Sequence, residues 1–110
     1  MAFETFKRFA ALRPANTNEQ DLYALTSGEM VGVVHVCNQD SSARTFRVAV
    51  TDTGAGVAAA NDDFIEYDTS IPANTTYKVT IEGSEAPATV RVKASVADKL
   101  SFVFMGGHRK

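Results

Sequence analysis

Residues 30–52, MVGVVHVCNQDSSARTFRVAVTD, set two strand signals on either side of a polar turn, and no other stretch limits the fold as tightly. Residues 30–37 are an almost unbroken apolar run with valines at 31, 33, 34 and 36. Such a run suits a strand at the centre of the fold that is covered on both faces. Residues 44–51 alternate instead: Phe46, Val48 and Val50 leave one side of the chain, and Thr45, Arg47 and Thr51 the other. That is a half-buried neighbour. Between them Asn38, Gln39, Asp40, Ser41 and Ser42 offer short polar side chains that bond back to their own backbone. The unit reads as a hairpin with a loop of roughly five residues.

The remaining chain follows the same logic. Residues 1–12 form an N-terminal arm or first strand, ended by Pro14. Asp21 to Leu25 is a strand with Leu22 on one face and Tyr23 and Leu25 on the other, and residues 26–29 turn it into the central strand. Residues 53–62, TGAGVAAAND, have too little bulk to pack as a strand and are predicted to be the longest exposed loop. Phe64 and Ile65 open the next strand as core candidates, and Pro72 interrupts it. Tyr77, Val79 and Ile81 alternate inward, as do Val90, Val92, Ala94 and Val96 against outward Arg91, Lys93 and Ser95. Leu100, Phe102 and Phe104 share one face of the last strand, and residues 108–110 are a loose basic tail. Seven or eight short strands with turn chemistry at nearly every gap predict an all-β fold. It is a single antiparallel β-sandwich or small jelly roll spanning residues 13–107.

At 110 residues the chain is one domain, able to bury roughly two-thirds of its unfolded surface. Seven Phe and three Tyr supply the core. A formal charge of −2, from 11 basic and 13 acidic residues spread along the chain, lacks the basic stripe of a nucleic-acid-binding domain. No apolar run approaches the ~20 residues needed to span a bilayer, and no leader pattern opens the sequence, so the expected site of synthesis is the cytoplasm. The single Cys37 cannot form an internal disulfide.

Candidate chemistry is sparse. His35 and Cys37 stand two residues apart on one face of the proposed central strand, but no partner residue at ligand or triad spacing accompanies them, and packing roles are expected. Asp52, Asp62, Asp63 and Asp68 match no calcium-loop spacing. Gly28, Gly54, Gly56 and Gly83 form turns and not a phosphate loop. No cofactor, metal or enzymatic activity is expected.

Four phrases in order, LYALTSGE, VVHVCNQDSSARTFRVAV, DDFIEYDTSIPANTTYKV and VRVKASVADKLSFVFMG, cover about residues 22–106. Together they resemble small β-sandwich virion proteins of tailed bacteriophages. Two features depart from that pattern: Thr26-Ser27-Gly28 stands where a proline-containing turn is usual, and the chain runs past Gly106 into Gly107-His108-Arg109-Lys110. The resemblance implies a non-enzymatic structural protein, a capsid decoration (cement) protein made in the host bacterial cytoplasm and carried on the virion. Tail, connector or fibre-associated placement is the alternative, and a carbohydrate- or receptor-binding module is a further one. Apolar residues on both faces of residues 30–37 in so small a chain predict self-association, and the resemblance implies that it is a trimer on three-fold lattice sites, in contact with virion proteins such as the major capsid protein. The candidate contact residues are Phe3, Phe6 and Phe9 of an arm dispensable to the domain, Gly54, Gly56 and Val57 of the long loop, and His108 and Arg109 of the tail.

Overall fold

Alternation along Val79 and Ile81, Val90 and Val92, and Phe102 and Phe104 gives each strand one apolar side, and burying these sides against each other produces two packed sheets. The computed structural model describes residues 5–109. Its strands are β1 (Thr5–Leu12), β2 (Gln20–Leu25), β3 (Glu29–Asn38), β4 (Arg44–Thr51), β5 (Phe64–Ile71), β6 (Thr76–Glu85), β7 (Ala88–Ala94) and β8 (Leu100–Arg109). A short 3₁₀ turn, Asn61–Asp63, precedes β5. No helix among the described residues is long and apolar enough to cross a membrane.

One sheet runs β1-β8-β3-β6 and the other β2-β7-β4-β5, with every pairing antiparallel. Strands one and eight, two and seven, three and six, and four and five are all partners. This is one long antiparallel ribbon, folded at the β4–β5 connection and rolled up so that β3 also meets β8 and β4 meets β7. The predicted all-β sandwich is therefore an eight-stranded jelly roll. Its core lies between the sheets, with Phe46, Phe102, Phe104, Met30 and Ile71 as the largest side chains sealed from solvent.

The roll overturns the predicted hairpin at residues 38–42. β3 and β4 lie in different sheets, so the connection crosses from one layer to the other. Asn38 holds the crossing. Its fully buried amide donates to the carbonyls of Ser42, Ile71 and Pro72, and its side-chain oxygen accepts the Asp40 N–H. Asp40 in turn pairs with Arg44 at the start of β4, which holds its carboxyl below the usual aspartate range. Short polar side chains do satisfy this turn, but they serve a crossing between layers. The hydrogen-bonded pair of consecutive strands is β4–β5, closed by the long small-residue loop.

The doubly covered strand is also not the one the apolar run predicts. On β3, Met30, Val34, Val36 and Asn38 are buried, while Val31, Val33, His35 and Cys37 on the other face stay half-exposed. β7 is the strand closed on both sides: Thr89 and Arg91, on its outer face, are 0 % and 7 % exposed. Its cover is polar, so apolar content could not reveal it. A bulge between Asp21 and Tyr23 lets Leu22 and Leu25 both be buried, against the predicted split. Ile65 is 46 % exposed, because register shifts where β5 pairs with β4 rotate it out of the core. Tyr77, on edge strand β6, is half outside, with its ring edge against Phe46.

β3 and β8 approach closely through two facing glycines, Gly32 and Gly106. A Cβ on Gly106 would lie 2.0 Å from the Val31 carbonyl oxygen, and one on Gly32 would lie 2.8 Å from the Phe104 ring, which fills the space left empty.

Candidate interaction surfaces

Two surfaces emerge from the fold. The first is the 53–60 loop. Glu19, just before β2, accepts the Ala59 N–H at 3.0 Å, and Asp21 in β2 accepts the Gly56 N–H at 2.8 Å. The same two carboxylates grip Arg91 of β7, Glu19 at Nε and Asp21 at Nη1. Burial pushes the Glu19 carboxyl up, but the Ala59 N–H and the Arg91 guanidinium outweigh it and hold the group below the usual glutamate range. Burial likewise disfavours charge on Arg91, and the two carboxylates reverse that, leaving it more basic than a free arginine. Beside this cluster, Thr89 Oγ1 donates to the Thr53 carbonyl at 2.9 Å and Thr53 Oγ1 bonds Thr51 Oγ1 at 3.0 Å. The loop is exposed, as predicted, with Val57 47 % accessible at its tip. Its backbone, however, is fastened at two amides, to Glu19 just before β2 and to Asp21 within it. Sequence reasoning placed Arg91 outward and missed this cluster, because Glu19 and Asp21 are about 70 residues from Arg91 in sequence and meet it only through the β2–β7 pairing.

The second is the outer face of the β1-β8-β3-β6 sheet. Val31, Val33, His35 and Cys37 of β3 alternate with its buried set, and Val103 and Met105 of β8 lie beside His35 and Val33. Met105 is 46 % exposed and Phe6 of β1 74 %. Among the described residues no second layer packs on this face, whereas the inner face meets the other sheet.

The predicted contact residues divide accordingly. Phe3 lies outside the described residues. Phe6 is on the exposed sheet face, and Gly54, Gly56 and Val57 are in the fastened loop. Phe9 is partly buried and packs on the core, with its ring centroid 5.0 Å from Tyr23 and 4.9 Å from Phe104. His108 and Arg109 are not a loose tail. They extend β8, where His108 Nε2 meets the Ser27 carbonyl at 2.9 Å and Arg109 pairs with Glu29. Pairing continues because β1 supplies a backbone partner as far as His108 and β3 as far as Arg109.

His35 and Cys37 occupy half-exposed outer positions on β3, with Val103 and Lys78 flanking His35. Asp68 forms a two-pronged ion pair with Arg47, which holds its carboxyl below the usual aspartate range, while Asp63 accepts the Ala60 N–H. Among the described residues no three of His, Cys, Asp and Glu gather where they would hold a metal ion. No protein-family model, curated protein or solved structure matches the chain.

Proposed function

We propose that the chain is a non-enzymatic structural protein of a tailed-phage virion, a capsid decoration protein that stabilises the head lattice. The observation that supports this reading is the outer sheet face, where Val31, Val33, Val103 and Met105 stand at neighbouring outward positions on the two central strands of that sheet. Water gains nothing from such a face and a neighbouring protein does. A small module without a disulfide is stabilised by whatever binds only its folded state, and a lattice does so at every copy. The ordered phrases that resemble phage virion proteins of head and tail alike support assembly on a virion.

Mass spectrometry and cryo-EM of purified particles test the proposal. Hundreds of copies per particle are expected for a decoration protein, with density on the head exterior. A few dozen copies or fewer would move the chain to the tail, connector or fibres, and its absence would overturn the virion reading. A carbohydrate-binding role needs an open aromatic platform. Tyr67, 56 % exposed, has the Arg47 guanidinium 3.9 Å over its ring centroid, so one face of that ring is already covered.

A further inference from the structure

The outer face of the β1-β8-β3-β6 sheet is ordered along its strands. At the start of β3, Glu29 lies with Glu82 and Glu85 from the facing end of β6 around one shallow depression that also takes in Val31, and Arg109 pairs with Glu29. Next come Val33 and Met105, side by side across β3 and β8. Arg8 flanks Met105 on β1, and Lys78 lies beside His35 on β6, one outward position further along. Along β6 the outer face thus runs from the acidic Glu85 and Glu82 to the basic Lys78, beside the aliphatic strip of β3 and β8, with Arg8 level with the middle of that strip.

A face ordered in this way is complementary to itself turned end for end. The geometry points to a second copy of this chain as its occupant. Two outer faces stack about a two-fold axis that lies between them and across the strands. The aliphatic middles meet, and Lys78 of each copy reaches the Glu82 and Glu85 end of the other. The same patch serves on both sides, as an isologous interface requires, and the charges set which way round the faces stack. A partner of one uniform charge, such as a nucleic acid, would be repelled by one end of the face. Four strands ~4.8 Å apart and roughly ten residues long give about 600 Å² per copy, so a pair buries about 1,200 Å², the lower end of specific interfaces. This inference rests on the sheet alone and not on the virion reading, and it assigns to a second copy the neighbour that the outer face requires, so that a pair would meet a lattice through its other surfaces.

Light scattering of the full chain after size exclusion tests it. The wild-type protein should run as a pair. Lys78→Glu, and separately Glu82→Lys with Glu85→Lys, should each weaken pairing by about tenfold or more, since each sets like charges together. These side chains are exposed on an edge strand, so circular dichroism should show an unchanged fold. Mixing the two variants should restore a one-to-one pair, because positions 78, 82 and 85 of each variant then meet opposite charges on the other. A wild-type monomer at about 100 µM would overturn the inference, as would variants that pair as well as wild type or fail to recover on mixing. A wild-type trimer would overturn the two-fold pair while leaving the virion reading standing, and absence from particles would do the reverse.

Discussion

Phe46 and Phe102 sit edge to face at 6.4 Å between the sheets, each at most 1 % exposed, while Arg47, next in the chain, lies on the far side against Tyr67 and Asp68. Truncating either phenylalanine removes a ring from a site that can collapse only in part. Phe46→Ala and Phe102→Ala should each lower stability by about 3–5 kcal/mol in urea unfolding. Arg47→Ala should cost far less, because its ion pair lies on the outer face and its Asp68 partner is more than half exposed. Equal losses at 46 and 47 would mean that Arg47 is buried against another molecule. Gly106 offers a sharper case. Its added Cβ would meet backbone, the Val31 carbonyl at 2.0 Å and Gly32 Cα at 2.5 Å, and neither can rotate away. Gly106→Ala should therefore cost about 1–3 kcal/mol by overpacking, with a lower urea midpoint and an unchanged far-ultraviolet spectrum.

At the scale of elements, the Glu19–Asp21–Arg91 cluster decides how the 53–60 loop behaves. A glycine- and alanine-rich segment is flexible by composition, yet Ala59 and Gly56 donate to carboxylates that Arg91 fixes in place. The loop is thus a shaped surface, held in place by the fold itself. Hydrogen exchange should show the Gly56 and Ala59 amides protected relative to Ala55 and Ala58, with Ala59 losing protection in Glu19→Gln. Exchange at Ala59 equal to that of its neighbours in the wild type would show the loop to be loose. The pH dependence has a definite sign. The Glu19 pKa is lowered on folding from its ordinary 4.5, so its contribution is fully present above that value and is lost as pH falls through the lower folded value. Arg91, Asp21 and Arg47 are the charged groups around it, and neither arginine titrates in that range. Loop protection should accordingly be constant from pH 7 to about pH 5 and fall only below the usual glutamate range.

For the whole molecule, residues 5–12 are not an appendage. β1 closes one edge of a sheet against β8, and Phe9, Ala10 and Leu12 pack on the core. Removing residues 1–12 should uncover the β8 edge and part of the aromatic cluster with Tyr23 and Phe104, giving a lower melting temperature and aggregation, not a folded domain that merely fails to join particles. A soluble, cooperatively unfolding truncation with an unchanged melting temperature would refute this.

What the sequence determined by itself was each strand's place and the inward side of most of them. Phe102 and Phe104, Val79 and Ile81, and Val90 and Val92 are legible because a strand's side chains alternate whatever it pairs with. Turn positions were legible for a similar reason, since proline, glycine and short polar side chains act on their own backbone. Pairing was not. A hairpin and a crossing between layers use the same polar residues at 38–42, and only the buried Asn38 amide, reaching Ile71 and Pro72, distinguishes them. The outer cover of each strand was equally out of reach: Val31 and Val33 of β3 face outward with no second layer among the described residues, while Arg91 on β7 is buried beneath the carboxylates of Glu19 and Asp21, brought in with β2. Alternation is a property of one strand, whereas what lies over its outer face depends on residues that only the rolled ribbon brings near.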